Sequence, residues 1–556
     1  MEIDKLYNQW ICFDKNAKAE LEGLSKEEIE DRFYRELEFG TGGIRGKIGY
    51  GTNRINYYTV ARVTMGLCDY LIENFKDPFV VIAYDSRHYS KEFSEYVCYI
   101  LSKFGVKVKL FKTPTPTPIL SFTVRYLNAS AGIVITASHN PKEYNGYKVY
   151  NSFGNQITNI EANKIQEKIS RYNYWYDIYN IKEEIKNGLS YVEDKVLDAY
   201  MEKVYSLSLN KKVIKENSEN ISIVYTPLNG AGGEFVKESL NRFGFKNVYF
   251  VKSQFNPNGD FPETKYPNPE EVEVFEKAIK LGCEKNADIL IATDPDCDRV
   301  GIMIKTQSGY RALNGNEIGT LLTYYTLSNL KEKGLLSKDH RIIKTIVTTN
   351  IVEEICKDFE IGIENVLTGF KYIGEKIEEY NSTGNRKFIL GFEESYGYLI
   401  GDFVRDKDGI IASSIISEMV IFYKSKGLSL FNVLEKIYKK YGYYKEELLS
   451  FTFEGKKGSD NIKSIMESVS KWDFINKNGI KDFEIIDYNK GVNFLPLENV
   501  ISIKTEKGNV TIRPSGTEPK IKFYIMAKGE NEKEVLENIT SFKDFINKII
   551  KNADNK

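Results

Sequence analysis

Ala131-Gly132-Ile133-Val134-Ile135-Thr136-Ala137-Ser138-His139-Asn140-Pro141 is a short apolar run that stops abruptly at polar residues and a proline. Such a run predicts a strand buried on both faces, with a loop beyond its carboxyl end. In open α/β sheets that is where ligands collect. Ser138 is the hydroxyl offered there, a candidate nucleophile or phosphate carrier. A serine is inert at its free pKa, so the reading needs a base, a cation and something to hold the transferred group elsewhere in the chain.

The same grammar recurs along the sequence. Phe79 to Tyr84 is an apolar run followed by Asp85-Ser86-Arg87 and an amphipathic stretch through Leu101. Ile221 to Tyr225 leads into Asn229-Gly230-Ala231-Gly232-Gly233, Ala287 to Ala292 into Asp294, and Lys387 to Leu390 into Gly391. These strand-then-polar-loop units predict repeated α/β domains of similar design, although no residue-level repeat aligns. The segment up to Leu37 reads as a helical lead-in, and Lys456 to Asp482, rich in Lys, Ser, Asn and Asp, as part of a looser final domain.

At 556 residues the chain exceeds one hydrophobic core, so three or four domains are expected. Lys plus Arg (77) nearly cancels Asp plus Glu (78), which removes any global electrostatic case for nucleic acid or an anionic membrane. The start, Met1-Glu2-Ile3-Asp4-Lys5, lacks a signal-peptide pattern, and no apolar run approaches the ~20 residues of a membrane span; the chain reads as cytoplasmic. Six widely spaced cysteines without a CxxC pair indicate neither zinc nor a disulfide framework.

Thr293-Asp294-Pro295-Asp296-Cys297-Asp298-Arg299 places three carboxylates at alternate positions after a buried-looking strand. Three aspartates there repel one another unless they share a hard cation, and magnesium is the natural occupant; a solvated acidic turn is the alternative. Arg299 at the sixth position and Lys305 at the twelfth exclude an EF-hand. Arg299 suits a phosphoryl group beside the metal.

Gly391-Phe392-Glu393-Glu394-Ser395-Tyr396-Gly397 offers adjacent acceptors and a hydroxyl, as recognition of vicinal sugar hydroxyls requires, against the alternative of an acidic helix N-cap. Arg513-Pro514-Ser515-Gly516-Thr517 combines a guanidinium, two hydroxyls and exposed amides, a cradle for a non-reacting phosphate or an ordinary hairpin turn. Gly40 to Lys47 fails the P-loop pattern at Thr41 and Ile48 and GxGxxG at Arg45, so neither ATP nor a dinucleotide follows from it. Its glycines still present Arg45 to a phosphate. Lys148, Lys407 and His139 are the candidates for proton transfer, a lysine needing burial and nearby charge to bring its pKa toward neutrality. His88 and His340 lie near no serine motif, which leaves a Ser-His-Asp hydrolase without support.

Thr136-Ala-Ser-His-Asn-Pro141, Asp294-Pro-Asp-Cys-Asp-Arg299, Gly391-Phe-Glu-Glu-Ser395 and Arg513-Pro-Ser-Gly-Thr-Glu-Pro519, in this order, resemble the α-D-phosphohexomutases over nearly the whole chain. The sugar loop is similar to that of the phosphoglucomutase and phosphopentomutase branch. The resemblance implies four domains around a central cleft, three related mixed-sheet α/β domains and a smaller α+β C-terminal domain. We expect them at 1–200, 201–308, 309–435 and 436–556.

The resemblance further implies a phosphate carried on Ser138 and Mg2+ held by Asp294, Asp296, Asp298 and an oxygen of that phosphoserine. Arg513, Ser515, Gly516 and Thr517 would hold the distal phosphate. Glu393 and Ser395 would grip sugar hydroxyls, with Thr368 and Gly369 opposite them. Glucose 1,6-bisphosphate is the implied intermediate and activator, and the implied partners are small sugar phosphates only. Two departures stand out: Gly397 occupies a position where the phosphomannomutase-like branch tends to have histidine, and Gly42-Gly43 replaces the serine or alanine of many relatives.

The leading expectation is interconversion of glucose 1-phosphate and glucose 6-phosphate. A phosphopentomutase, a phosphomannomutase, a hexose-bisphosphate synthase releasing the bisphosphate, and a non-catalytic sugar-phosphate sensor are the alternatives. The intact Ser138 and three aspartates argue against the last.

Overall fold

A computed structural model describes residues 2–40, 42–178, 189–453, 455–492, 495–515 and 520–554. The first sheet contains β1 (Gly43–Lys47), β2 (Phe79–Tyr84), β3 (Lys107–Leu110), β4 (Ala131–Ile135) and β5 (Tyr144–Asn151) in the order β1-β5-β4-β2-β3. β3, β2 and β4 run parallel, whereas β5 and β1 are antiparallel additions. The second sheet contains β6 (Ser222–Thr226), β7 (Asn247–Phe250), β8 (Ile289–Thr293), β9 (Val300–Thr306) and β10 (Gly309–Leu313), ordered β10-β9-β8-β6-β7. Its parallel and antiparallel members fall in the same places. The third has β11 (His340–Thr345), β12 (Gly362–Val366), β13 (Lys387–Glu393) and β14 (Gly397–Ile400) in the order β12-β11-β13-β14.

The repeat that residues do not reveal is therefore present as topology. In all three sheets one strand lies between the next two in chain order, parallel to the first of these, and a fourth strand flanks the second of them. Ser138 follows β4, Asp294 follows β8, and Glu393 ends β13, so the serine, acidic and sugar loops are one structural position used three times. Each loop also turns through a non-glycine residue in the left-handed region: Ser138 (φ 52°), Cys297 (φ 53°) and Tyr396 (φ 64°). Such backbone costs of order 1–3 kcal/mol per residue and concentrates at functional sites.

The C-terminal domain differs. β15 (Tyr443–Thr452), β16 (Phe483–Asp487), β17 (Ile501–Thr505), β18 (Gly508–Pro514) and β19 (Lys520–Gly529) form an antiparallel sheet ordered β15-β19-β18-β17-β16. The helix Glu532–Asp554 buries Val535, Ile539, Phe542, Phe545, Ile546 and Ile549 against it.

The chain packs as two compact units. One comprises Met1–Asn314, Ile373–Gly391 and Ser395–Lys426, the other Gly315–Tyr372, Phe392–Glu394 and Gly427–Lys556. In the first, the lead-in forms helices Glu2–Phe13, Lys15–Leu21 and Lys26–Phe33, whose Trp10, Leu21 and Phe33 join the core built on β2 and β4. Among the described residues no helix is long and apolar enough to cross a membrane.

All three expected internal domain boundaries fall inside elements. The helix Asp194–Ser206 crosses 200/201, burying Val196, Tyr200, Met201 and Val204 on one face. The β9–β10 hairpin crosses 308/309, pairing Thr306 with Gly309 and Ile302 with Leu313. The helix Leu430–Tyr441 crosses 435/436 around buried Val433, Leu434 and Ile437.

The stretch expected to be loose is ordered into helices Gly455–Val469 and Trp472–Lys477. Its charges form the outer face of an amphipathic helix that buries Ile465, Met466 and Val469. β13 runs three residues beyond Leu390, because Phe392 is wholly buried over Gly319, where a Cβ would stand 2.0 Å from the ring.

Candidate active site

Ser138 is positioned by its backbone as much as by its side chain. Its N–H donates to Thr136 Oγ1 (2.8 Å), and Thr136 Oγ1 donates to Asp85 Oδ2 (2.6 Å). Arg87, buried and paired with Asp85 (3.1 Å), donates to the carbonyls of Ser138, Asn140, Pro141 and Tyr144. One guanidinium thereby clasps the whole turn from 138 to 144. The sequence displayed Asp85-Ser86-Arg87 as a polar loop but gave no sign that its partners would be carbonyls some fifty positions later, so this clasp was missed.

The hydroxyl donates to Asp294 Oδ2 (2.7 Å) and lies 3.2 Å from His139 Nδ1. Burial, reinforced by Arg299 and Arg45, holds the His139 pKa well below its ordinary 6.5, so the imidazole is neutral near pH 7. We expect its NMR resonances, assigned by their loss in His139→Gln, to show no titration as the pH passes through 6.5. An imidazolium shift there would contradict the buried environment.

Asp294, Asp296 and Asp298 are all buried, and one carboxylate oxygen from each lies within 4.8 Å of the others. The loop is tied by Asp294 Oδ1, which accepts from the amides of Asp298 and Arg299 (3.0 Å each), and by Thr117, whose Oγ1 donates to Asp296 Oδ2 (3.1 Å). Asp296 Oδ1 and Asp298 Oδ1 are buried without a hydrogen-bond partner among the described residues. Converging hard oxygens with lone pairs left over are what a divalent cation of the magnesium type takes as ligands, so the residues fit such an ion. Burial and the neighbouring Asp296 and Asp298 raise Asp294 well above an ordinary carboxyl pKa. Asp296, despite burial, is held very low by Lys148.

Both candidate lysines reach this cluster. Lys148 Nζ is 2.8 Å from Asp296 and 3.7 Å from Asp298; Lys407 Nζ is 3.2 Å from Asp298 and 3.0 Å from Asp406. Burial would lower the Lys148 pKa, but Asp296 and Asp298 outweigh it and leave it above the ordinary value. The expectation of a lysine brought toward neutrality is therefore not met at Lys148. Arg45 is exposed and donates to Asn140 Oδ1 (2.8 Å), while Arg299 pairs with Glu270 (2.5 Å).

Gly397 explains how Lys407 is aimed. β14 begins beside the acidic loop, with a bridge between Gly397 and Arg299 and with Val300 N donating to Tyr396 O (3.0 Å). A Cβ at 397 would stand 2.1 Å from Lys407 Cδ. Gly397→Ala should push the ammonium off Asp298 and lower kcat by on the order of 10²-fold while the fold, followed by circular dichroism, is retained. An unchanged kcat would show that Lys407 needs no such alignment.

The other unit carries the remaining groups. Glu393 Oε1 accepts from Gly369 N (2.9 Å), and Glu394 Oε2 from the hydroxyls of Thr345 (3.3 Å) and Thr348 (3.1 Å). Thr368 Oγ1 is buried without a hydrogen-bond partner among the described residues. Arg513 donates to Glu498 through Nε (3.2 Å) and Nη2 (3.0 Å), and Ser515 N donates to Lys520 O (2.7 Å). Ser395, in the first unit, is half-buried. Thr41, Gly516 and Thr517 lie outside the described residues.

Sequence comparison matches four consecutive segments to the phosphoglucomutase/phosphomannomutase domains: alpha/beta/alpha domain I at residues 36–174, domain II at 198–309, domain III at 314–441 and the C-terminal domain at 456–539. The phosphoglucomutase of Staphylococcus haemolyticus (strain JCSC1435) is 35% identical over 528 residues, covering 92% of this chain and 94% of its own.

Among solved structures, pp63/parafusin, a phosphoglucomutase from Paramecium, superposes with a TM-score of 0.70 at 16% identity, covering 94% of this chain and 96% of its own. A phosphoglucomutase/phosphomannomutase family protein from Burkholderia thailandensis gives 0.65 at 18% identity, covering 92% and 97%. At those identities the structures speak for the fold, while the four consecutive segments and the Staphylococcus relative establish descent. This chain belongs to the phosphoglucomutase/phosphomannomutase family and is an isomerase of the phosphotransferring kind.

Proposed function

We propose that the protein interconverts glucose 1-phosphate and glucose 6-phosphate, with a phosphoryl group carried on Ser138 and glucose 1,6-bisphosphate as the intermediate. The observation that carries this reading is the pairing of Ser138 Oγ with Asp294 (2.7 Å) at the edge of a buried three-carboxylate cluster. A hydroxyl held there is positioned to carry a group whose charge a divalent cation would offset.

Asp294, Asp296 and Asp298 would hold that cation, Mg2+, which supplies charge neutralisation to the transferring phosphoryl group. The chain's own groups do the rest. Arg87 and Thr136 fix the serine backbone. Lys148 and Lys407, ammonium groups that both reach Asp298, are the acids that return a proton to the sugar oxygen. Neutral His139 orients the serine hydroxyl. Glu393, Ser395, Thr368 and Gly369 bind sugar hydroxyls. Arg45, Arg299 and the Arg513 loop, with Ser515, Gly516 and Thr517, bind phosphate.

The test is mass spectrometry of the purified protein before and after incubation with labelled glucose 1-phosphate, alongside coupled assays with glucose, mannose and pentose phosphates. One exchangeable phosphoryl group on Ser138 and the highest kcat/KM with glucose 1-phosphate are expected. Exchange with greater turnover of a pentose or mannose phosphate would move the assignment to that sugar, and net release of bisphosphate to a synthase. Absence of exchange would overturn the phosphoserine route.

A further inference from the structure

Away from the serine and acidic loops, the second α/β domain carries a groove of about 1120 Å³ along β7. β7 is the last strand of its sheet, and no strand pairs with its outer edge among the described residues. Val251 N donates to Tyr225 O on β6 (3.1 Å). In a parallel ladder the groups facing the partner belong to alternate residues, so Tyr249 also faces β6, and Val248 and Phe250 turn their N–H and C=O groups outward into the groove.

The walls carry five lysines over both flanks against one lining carboxylate, Glu284. Lys277, Lys280 and Lys285, from the helix Glu276–Lys285, stand on the Tyr249 face, with Lys285 Nζ 5.2 Å from the Tyr249 ring centroid. Lys237 and Lys252 stand on the other face, where Phe250 and Phe255 meet edge-on at 5.0 Å and Lys237 lies 5.6 Å from Phe255. Lys237 and Lys277 are partly balanced by Glu234 (2.9 Å) and Glu263 (3.5 Å); Lys252, Lys280 and Lys285 make no ion pair among the described residues. Lysine is a common guard of sheet edges, but a guard sits on the edge strand itself, and β7 (Asn247-Val-Tyr-Phe250) carries none.

From this we infer that β7 is a docking edge for an extended acidic segment of another polypeptide, which adds a strand to the sheet. Side chains of an added strand alternate between faces, so acidic residues at both odd and even positions would each meet lysines, while the backbone pairs with Val248 and Phe250. A polyanion without a pairing backbone, such as a nucleic acid, would use the charge alone.

Fluorescence polarisation of the full chain with a labelled peptide of about seven residues, rich in Glu with Val and Tyr between, tests this. Four results are expected: saturable binding; at least about tenfold weakening when alternate peptide amides are N-methylated; similar weakening in Lys280→Glu/Lys285→Glu; and no comparable binding of an oligodeoxythymidine of equal charge. Equal binding of the N-methylated peptide, equal binding of the oligonucleotide, or no saturable binding of the parent peptide would each overturn the inference. Because the N-methylated ligand leaves the protein unaltered, the test does not depend on the charge-reversed variant folding.

Discussion

Ser138→Ala is expected to reduce mutase turnover by on the order of 10⁴-fold or more while leaving the fold intact. The size follows from what the side chain alone contributes. Its Oγ is the group that touches both Asp294 (2.7 Å) and His139 (3.2 Å), whereas Thr117, the other hydroxyl bonded to the acidic cluster, meets Asp296. The survival of the fold follows from what it does not contribute. The turn is held by Ser138 N to Thr136 and by Arg87 to four carbonyls, contacts that alanine keeps. Alanine inherits the left-handed backbone at φ 52° that serine already bears, and what it loses is the hydroxyl's bond to Asp294, so a modest loss of about 1 kcal/mol is expected in denaturant melts. The kcat of purified Ser138→Ala and the disappearance of phosphoryl exchange should move together. Turnover within about tenfold of the parent would remove Ser138 from the reaction.

This division between backbone and side chain also marks what the sequence made legible. The runs at Phe79–Tyr84 and Ala131–Ile135 read as strands because β-branched and aromatic residues buried on both faces leave little else for a short apolar segment to form. Ser138 and the three aspartates were visible because their spacing after a strand is itself the chemistry. What stayed hidden depends on contacts distant in sequence. Nothing local tells Arg87 to bind the carbonyl of Ser138, or Thr117 to meet Asp296. Gly397 appeared as an anomaly in a sugar loop, whereas its meaning is the space that the Lys407 side chain occupies. The expected domain limits cut through elements for a related reason. A composition shift marks where surface begins, but the helix Asp194–Ser206 and the β9–β10 hairpin continue through such shifts because one face of each remains apolar or paired.

The acidic loop gives the sharpest opposition between function and stability. Asp294→Asn is expected to abolish metal-dependent turnover yet make the metal-stripped protein more stable. Three buried carboxylates within 4.8 Å repel one another, and Asp294 bears most of this, since burial and then Asp296 and Asp298 raise its pKa well above 3.8. The asparagine side chain keeps the Oδ1 that accepts from Asp298 N and Arg299 N, and removes the charge that Asp296 and Asp298 repel, while losing the Oδ2 that accepts from Ser138 Oγ. The gain should be about 1–2 kcal/mol, roughly 2–4 °C in Tm.

The pH dependence has a definite sign. A carboxyl whose folded pKa is raised contributes stability that is fully present below 3.8 and is lost as pH rises through the folded value. The parent therefore suffers least in acid, where the stabilising effect of Asp294→Asn is smallest, and that effect grows toward alkaline pH. Added Mg2+ should reverse the order. Ligand that binds only the folded state stabilises by RT ln(1 + [L]/Kd), about 2.7 kcal/mol at a hundredfold excess over Kd, and the parent gains this while a variant lacking one of three anionic oxygens does not. Melting both proteins in EDTA and in Mg2+ should therefore give curves that cross. Parallel shifts in the two proteins would mean that the metal is held elsewhere, and a destabilised Asp294→Asn in EDTA would mean that the carboxylate cluster is not the strained element its burial implies.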